Sequence, residues 1–145
     1  MKHTLKDWII ATRPWSFPAS VMPVSVTLFY LFATGRDVDW WIGLQAMVTI
    51  ALFQAAGNTW SDWHDFRRGV DAADTFGSKI LTGGLFQPRE IIRLALGLLA
   101  VATLSGLTIV WMSGIEVLWV GAAGFLLTIF YPTLKFHALG IWIFC

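Results

Sequence analysis

Four apolar stretches, each long enough to cross a lipid bilayer, constrain this chain more than any other feature. A transmembrane helix needs roughly 20 predominantly apolar residues. The stretches run from about Phe17 to Ala33, Trp40 to Trp60, Ile91 to Trp111 and Ile115 to Tyr131, and a fifth begins near Ala138. They are too long for barrel strands of about ten residues, and they lack an alternating pattern. The sequence therefore predicts an all-α integral membrane protein with about four transmembrane helices and the start of a fifth.

The composition supports a lipid environment and excludes several other classes of protein. Only 13% of the residues are charged, whereas soluble domains carry about 25%. The net charge is +1, and no basic patch is interleaved with aromatic residues, so we expect no nucleic-acid partner. A single cysteine, Cys145, excludes an intrachain disulfide and a multi-cysteine metal site.

The positions of the lysines and arginines predict the orientation of the helices, because cytoplasmic loops are enriched in both. Alternate connections hold nine of the ten basic residues, and Arg36 is the exception. The nine are Lys2, Lys6, Arg13, Arg67, Arg68, Lys79, Arg89, Arg93 and Lys135. We expect a multi-pass protein of the cell membrane, with a cytoplasmic amino terminus and a cytoplasmic connection over residues 61–90.

A cluster of carboxylates and an amide follows the second apolar stretch. If that helix continues, Asn58, Asp62 and Asp65 lie on one face, because they are spaced by four and three residues. Gly69 then permits a break, after which Asp71 and Asp74 can fold back. Hard oxygen ligands grouped at a membrane edge suit Mg²⁺, which commonly brings phosphate oxygens with it. A solvated loop of mixed charge explains the same pattern about equally well.

Three further features carry less weight by themselves. Tyr131 and Lys135 end the fourth stretch on the same predicted side as the acid cluster, where an interfacial tyrosine and a snorkelling lysine are common. Arg13 precedes the first stretch and fits a simple positively charged anchor. His64 falls off the acidic face, and neither it nor His137 has the neighbours that a soft-metal site needs.

Taken together, these residues resemble the UbiA superfamily of intramembrane prenyltransferases, and most closely its branch that prenylates 1,4-dihydroxy-2-naphthoate in menaquinone synthesis. The resemblance rests on four short motifs spread along the chain. They are Arg13-Pro14 with Ser16-Phe17-Pro18, Gln54 with Asn58-x-x-Ser61-Asp62-x-x-Asp65-x-x-x-Gly69-Val70-Asp71, Leu81-x-Gly83, and Tyr131-x-x-x-Lys135.

The resemblance implies a helical bundle around a cavity, in which Mg²⁺ and a polyprenyl diphosphate meet an aromatic acceptor. It implies metal binding by Asn58, Asp62 and Asp65. It implies catalytic roles for Asp62, Asp65, Tyr131 and Lys135. It implies diphosphate binding by Asn58, Arg13, Arg68, Asp71, Lys79 and Lys135.

The sequence departs from the family pattern at three places. Ser61 stands where asparagine is usual, Lys79 stands where arginine is common, and Gly140 is followed by Ile141 instead of aspartate. A second Asp-rich motif is absent, and the chain stops inside an apolar run. We therefore expect residues 1–145 to form a single transmembrane prenyltransferase domain that is truncated at its carboxyl end. This domain would be the first half of a UbiA-type bundle. We expect that a second half or chain is needed to complete the site.

Two other functions remain open from the sequence. The acceptor is an alternative within the same reaction class, for example 4-hydroxybenzoate in place of 1,4-dihydroxy-2-naphthoate. A non-enzymatic membrane module, such as half of a small transporter or an inactive remnant, is the alternative from another class. Transporter halves place broken helices at the membrane midplane, whereas this chain gathers its ionisable residues at one face.

Overall fold

A computed structural model describes residues 3–67 and 79–134, with the backbone alone for Lys79, Thr82 and residues 131–134. All regular structure in those residues is helical. The helices are α1 (Leu5–Ala11), a 3₁₀ turn (Pro14–Ser16), α2 (Phe17–Ala33), α3 (Trp40–Arg67), α4 (Lys79–Thr82), α5 (Pro88–Ser113) and α6 (Glu116–Leu134).

Three of the described helices are long and apolar enough to cross a membrane, and they confirm the first three predicted spans. They cover Pro14–Ala33, with the 3₁₀ turn included, Trp40–Arg67 and Pro88–Ser113. The fourth predicted span is also helical and lies in α6, of which Glu116–Phe130 is described with its side chains. The prediction of an all-helical membrane protein is therefore confirmed for the part of the chain that the structure describes.

The connection predicted over residues 61–90 is shorter than expected, because helix α3 continues through Asp62 and Asp65. The described part of this helix runs to Arg67, and α5 already begins at Pro88. At 1.5 Å per residue, 28 residues extend about 42 Å, which exceeds the roughly 30 Å of a hydrocarbon core. A span that begins at Trp40 thus reaches Asp62 at about the edge of the apolar layer.

Helix α3 is central to the bundle and packs against α2, α5 and α6. Hydrogen bonds from polar side chains link α3 to α5 within the apolar region. The Thr49 and Ser105 hydroxyl oxygens lie 2.7 Å apart, and the Gln45 amide donates to the Ser105 carbonyl at 3.2 Å and to the Thr108 hydroxyl. Such interhelical hydrogen bonds help to hold transmembrane helices together, where no hydrophobic effect drives their association.

Helix α1 lies before the first predicted span, in a segment for which the sequence predicts no helix. It begins with a capping box, in which the Asp7 backbone N–H donates to the Thr4 hydroxyl and the Thr4 N–H donates to the Asp7 carboxylate. The hydrogen bonds from Thr4 hold the pKa of Asp7 below its usual value. The cap therefore contributes fully above the ordinary carboxyl pKa, and its contribution is lost as the pH falls through the lowered one.

A small hydrophobic core anchors α1 at the end of the bundle that carries the acid cluster. Its buried members are Ala11, Ile80, Leu81, Phe86 and Ile91. They come from α1, from α4 with the turn after it, and from the start of α5, so this core joins three segments that are far apart in the sequence.

His3, two residues before the start of α1, adds a second anchor. The His3 ring stacks on Phe86 with centroids 4.3 Å apart, and His3 Nε2 lies 3.1 Å from the Glu90 carboxylate. The amino-terminal segment is therefore attached to the first turn of α5 at the same end of the bundle.

Close packing of α2 on α3 depends on Gly43, a buried residue at which an added Cβ would lie 2.7 Å from a Leu28 methyl carbon. We expect Gly43→Leu to destabilise the protein by about 1–3 kcal/mol, the usual cost of overpacking. Gly97→Leu is the matched control, because Gly97 is an exposed glycine of α5 with no atom within 4 Å of such a Cβ. Thermal unfolding in detergent measures the difference. Equal melting temperatures for the two variants would contradict this packing.

Candidate functional site

A ladder of polar contacts joins α3 to the amino-terminal segment, and we refer to its three rungs as the polar ladder. Its α3 members, Gln54, Asn58 and Asp62, are spaced by four residues and therefore share one helix face. Their partners are Ser20, Ser16 with Thr12, and Arg13, in the antiparallel order that the α2–α3 hairpin requires. The face predicted to hold a metal therefore packs against the start of the chain.

The innermost rung lies between α2 and α3. The Ser20 hydroxyl donates to Gln54 Oε1 at 2.6 Å. One helical turn nearer the membrane edge, Asn58 Nδ2 donates to the Thr12 carbonyl at 3.0 Å and to the Ser16 hydroxyl at 2.8 Å. Both amide protons of Asn58 are thereby used, so its Oδ1 is the atom with which it can bind a metal.

The outermost rung is an ion pair between Arg13 and Asp62. An Arg13 guanidinium nitrogen donates to Asp62 Oδ1. The Asp62 side chain is only 6% exposed, while the Arg13 side chain keeps 28% of its surface. Since a buried carboxylate is costly without a compensating charge, Arg13 supplies the positive charge that lets Asp62 lie inside the protein.

The backbone of Arg13 is unusual, because its φ of 54° and ψ of 61° fall in the left-handed region. It is the one non-glycine residue with positive φ among those that the structure describes. Arg13 thus forms a left-handed joint between α1 and the 3₁₀ turn, and hydrogen bonds hold this joint on both sides. The Arg13 N–H donates to the Ile10 carbonyl at 3.0 Å, and the Ser16 hydroxyl donates to the Arg13 carbonyl at 2.9 Å. Strained backbone of this kind clusters at functional sites.

Asp65 extends the acidic face by one more turn. It is half-buried, and the Ser61 hydroxyl donates to its Oδ2 at 3.4 Å. Ser61, which departs from the family pattern, therefore contacts one of the carboxylates predicted to bind the metal.

The donor set fits a hard divalent cation. No group of three or more His, Cys, Asp or Glu side chains that could hold a metal occurs within residues 3–67 and 79–134. Mg²⁺ does not require one, because it usually takes one or two carboxylates and completes its octahedron with waters and substrate phosphates. Asp62, Asp65 and the Asn58 carbonyl oxygen provide that partial set on a single helix face.

An aromatic cluster covers a different side of the same end of α3. Trp60 and Trp63 have ring centroids 5.7 Å apart, and His64 lies against both rings at 5.2 and 4.9 Å. Arg67 lies over the Trp63 ring at 4.9 Å, and the Trp60 indole N–H donates to the Ile129 carbonyl of α6 at 3.3 Å. The prediction that His64 lies off the acidic face is consistent with this position among the tryptophans.

The structure brings together Arg13, Asn58 and Asp62, with Asp65 one turn farther along the helix. The side chains of several other predicted site residues are not described. Arg68, Asp71, Asp74 and Lys135 lie outside the described residues, and for Lys79 and Tyr131 the backbone alone is described.

Sequence reasoning missed the direct pairing of Arg13 with Asp62 and the roles of Ser16 and Ser20. A signal for both was present in the spacing. Ser16 and Ser20 are four residues apart, as are Gln54, Asn58 and Asp62, so two antiparallel helices carrying these patterns bring the polar residues into register.

Comparisons with known proteins agree with the resemblance seen in the sequence. The UbiA prenyltransferase family model matches residues 20–145. A 1,4-dihydroxy-2-naphthoate octaprenyltransferase of Bacillus subtilis (strain 168) is 30% identical over 123 residues, which cover 83% of this chain and 39% of that protein. UbiA prenyltransferase domain-containing protein 1 of Xenopus tropicalis is 26% identical over 92 residues, 63% of this chain and 26% of that protein. Its counterpart in Danio rerio is 28% identical over 85 residues, 59% of this chain and 25% of that protein.

The matched part of the chain thus spans between a quarter and two-fifths of the length of these relatives. No solved structure gives a significant match.

The second rung of the polar ladder yields a test of the geometry. Asn58→Asp preserves size but replaces both amide protons with an oxygen that faces the Thr12 carbonyl. Asn58 is half-buried, and we expect a loss of about 1–3 kcal/mol of stability, the usual cost of leaving a polar group inside the protein without its hydrogen-bond partners. Thermal unfolding in detergent without divalent metal measures this loss. The reverse exchange Asp39→Asn is the control, because either side chain can accept the Trp41 N–H at the start of α3. A melting temperature for Asn58→Asp equal to that of the control would contradict the second rung.

Proposed function

Since the chain belongs to the UbiA prenyltransferase family, we propose that it takes part in the Mg²⁺-dependent transfer of a polyprenyl group from polyprenyl diphosphate to an aromatic acceptor. The acceptor we propose is 1,4-dihydroxy-2-naphthoate, which places the reaction in menaquinone biosynthesis. Because the chain spans only part of its relatives, we propose further that a second half or chain completes the site.

One observation carries this proposal: Asn58, Asp62 and Asp65 occupy one face of α3 where that apolar helix reaches the membrane edge. A prenyl diphosphate has a long apolar chain and a charged head, so its enzyme must provide an apolar path that ends beside charged groups. Helix α3 has this arrangement, with an apolar span up to about Trp60 and oxygen ligands immediately after it.

Each residue of the site has a role that follows from its chemistry. Asp62 and Asp65 would hold Mg²⁺ with the Asn58 carbonyl oxygen, and a bound Mg²⁺ would neutralise the diphosphate and stabilise it as a leaving group. Arg13 would contact diphosphate oxygens, for which its guanidinium geometry is well suited. Arg68, Asp71, Lys79 and Lys135 remain proposed diphosphate contacts, and Tyr131 with Lys135 remains a proposed catalytic pair.

The carbon from which diphosphate departs becomes an allylic cation. Aromatic ring faces attract cations, and the Arg67 guanidinium over the Trp63 ring is an example in this structure. We propose that ring faces of this kind stabilise the cation and that the apolar surroundings exclude water, which would otherwise consume it.

Support for the acceptor comes from the Bacillus subtilis relative, whose name specifies 1,4-dihydroxy-2-naphthoate. The alternative acceptor is 4-hydroxybenzoate or a similar phenol. The cytoplasmic side of the cell membrane is the proposed location of the site, because the positively charged connections lie at the same end of the helices as Asp62.

The test is binding of radiolabelled farnesyl diphosphate to the purified 145-residue chain in detergent, with and without Mg²⁺. We expect saturable binding that requires Mg²⁺ and that weakens by about tenfold or more in Asp62→Asn and in Asp65→Asn, because each loses a charged metal ligand. Asp39→Asn is the control, since this carboxylate caps the opposite end of α3. Binding that survives both substitutions, or that ignores Mg²⁺, would refute the site.

A further inference from the structure

The ion pair between Arg13 and Asp62 poses a question about the order of binding. Asp62 is a proposed metal ligand, yet in this structure its Oδ1 accepts a hydrogen bond from Arg13. A buried carboxylate is costly without a compensating charge, and Arg13 supplies one here. A metal that binds Oδ1 takes the place of the Arg13 guanidinium at this oxygen.

We propose that Arg13 competes with the metal for the Asp62 carboxylate. The Arg13 guanidinium neutralises Asp62 until a divalent cation displaces it, and the guanidinium then binds the diphosphate. This inference rests on the proposed function, because it concerns the same metal-binding face. It assigns Arg13 a positioning role, since the residue keeps the Asp62 carboxylate in place before the metal arrives.

The structure provides the freedom that such an exchange needs. The Arg13 side chain is 28% exposed, against 6% for Asp62, so the arginine is the more accessible partner of the ion pair. A cation that replaces it at Oδ1 has Asp65 one helical turn away.

The backbone need not move during the exchange. Hydrogen bonds to Ile10 and from Ser16 hold the left-handed joint at Arg13, and Asn58 fixes the neighbouring Thr12 carbonyl. The buried Ala11 ties the preceding helix to the hydrophobic core. Only the long side chain is left to move, so the joint keeps Arg13 within reach of both Asp62 and an anion bound at the metal.

Electrostatics favours the exchange most when the metal and the anion are both present. A divalent cation beside Asp62 repels the guanidinium, whereas a diphosphate on that cation attracts it. Arg13 therefore weakens binding of the metal alone and supports binding of the metal together with diphosphate.

Mn²⁺ binding to the 145-residue chain in detergent, followed by the loss of the free-ion EPR signal, tests the competition. The neutral variant is Arg13→Gly, because glycine adopts a positive φ without strain. Arg13→Lys is the matched control that keeps the charge. We expect Arg13→Gly to bind Mn²⁺ about tenfold more tightly than the wild type, a common size for coupling between two sites, and Arg13→Lys to stay close to the wild type.

A second readout uses the wild-type chain and so does not depend on how well a variant folds. Phenylglyoxal modifies accessible arginines, and mass spectrometry gives the rate at each position. We expect Mg²⁺ to raise the rate at Arg13 severalfold and added inorganic diphosphate to lower it again. Arg36, exposed between α2 and α3, is the internal control whose rate stays constant.

The outcomes distinguish a failure of this inference from a failure of the proposed function. If the wild type binds Mn²⁺ while Arg13→Gly binds it no more tightly, and Mg²⁺ leaves the Arg13 rate unchanged, the competition is refuted and the metal site stands. If neither the wild type nor Arg13→Gly binds Mn²⁺, the metal site is refuted as a site of this chain by itself, and the competition is refuted with it.

Discussion

A buried carboxylate at the end of an apolar helix is the constraint on which the rest of this structure depends. The Asp62 side chain is 6% exposed, and a charge in that position is costly without a compensating charge. Arg13 provides one from a segment 49 residues earlier in the chain. This ion pair therefore helps to hold the start of the chain against α3.

That requirement explains several features that otherwise look unrelated. Arg13 reaches Asp62 from a left-handed joint, and the joint is held by Ser16 on one side and by α1 on the other. Helix α1 is only seven residues long, and so short a helix is not stable alone. It depends on the hydrophobic core with Phe86 and Ile91. The amino-terminal segment thus belongs to the candidate site, although it lies before the first predicted span.

The sequence predicted the helices well, because hydropathy is a property of each segment by itself. The first three spans agree with the structure, and the i, i+4 spacing correctly placed Asn58 and Asp62 on one continuous helix. Helix α1 and the Arg13–Asp62 pair were not predicted, because both depend on contacts between distant parts of the chain. Only the pairing of two antiparallel helices reveals that Ser16 and Ser20 meet α3.

The central claim is that Arg13 and Asp62 stabilise each other in the metal-free protein, and a double-mutant cycle tests it most directly. The free energies of unfolding in detergent are compared for the wild type, Arg13→Gly, Asp62→Asn and the double variant. The account predicts a coupling of about 1–3 kcal/mol, the range found for residues in direct contact. Additive effects, with a coupling near zero, would contradict it.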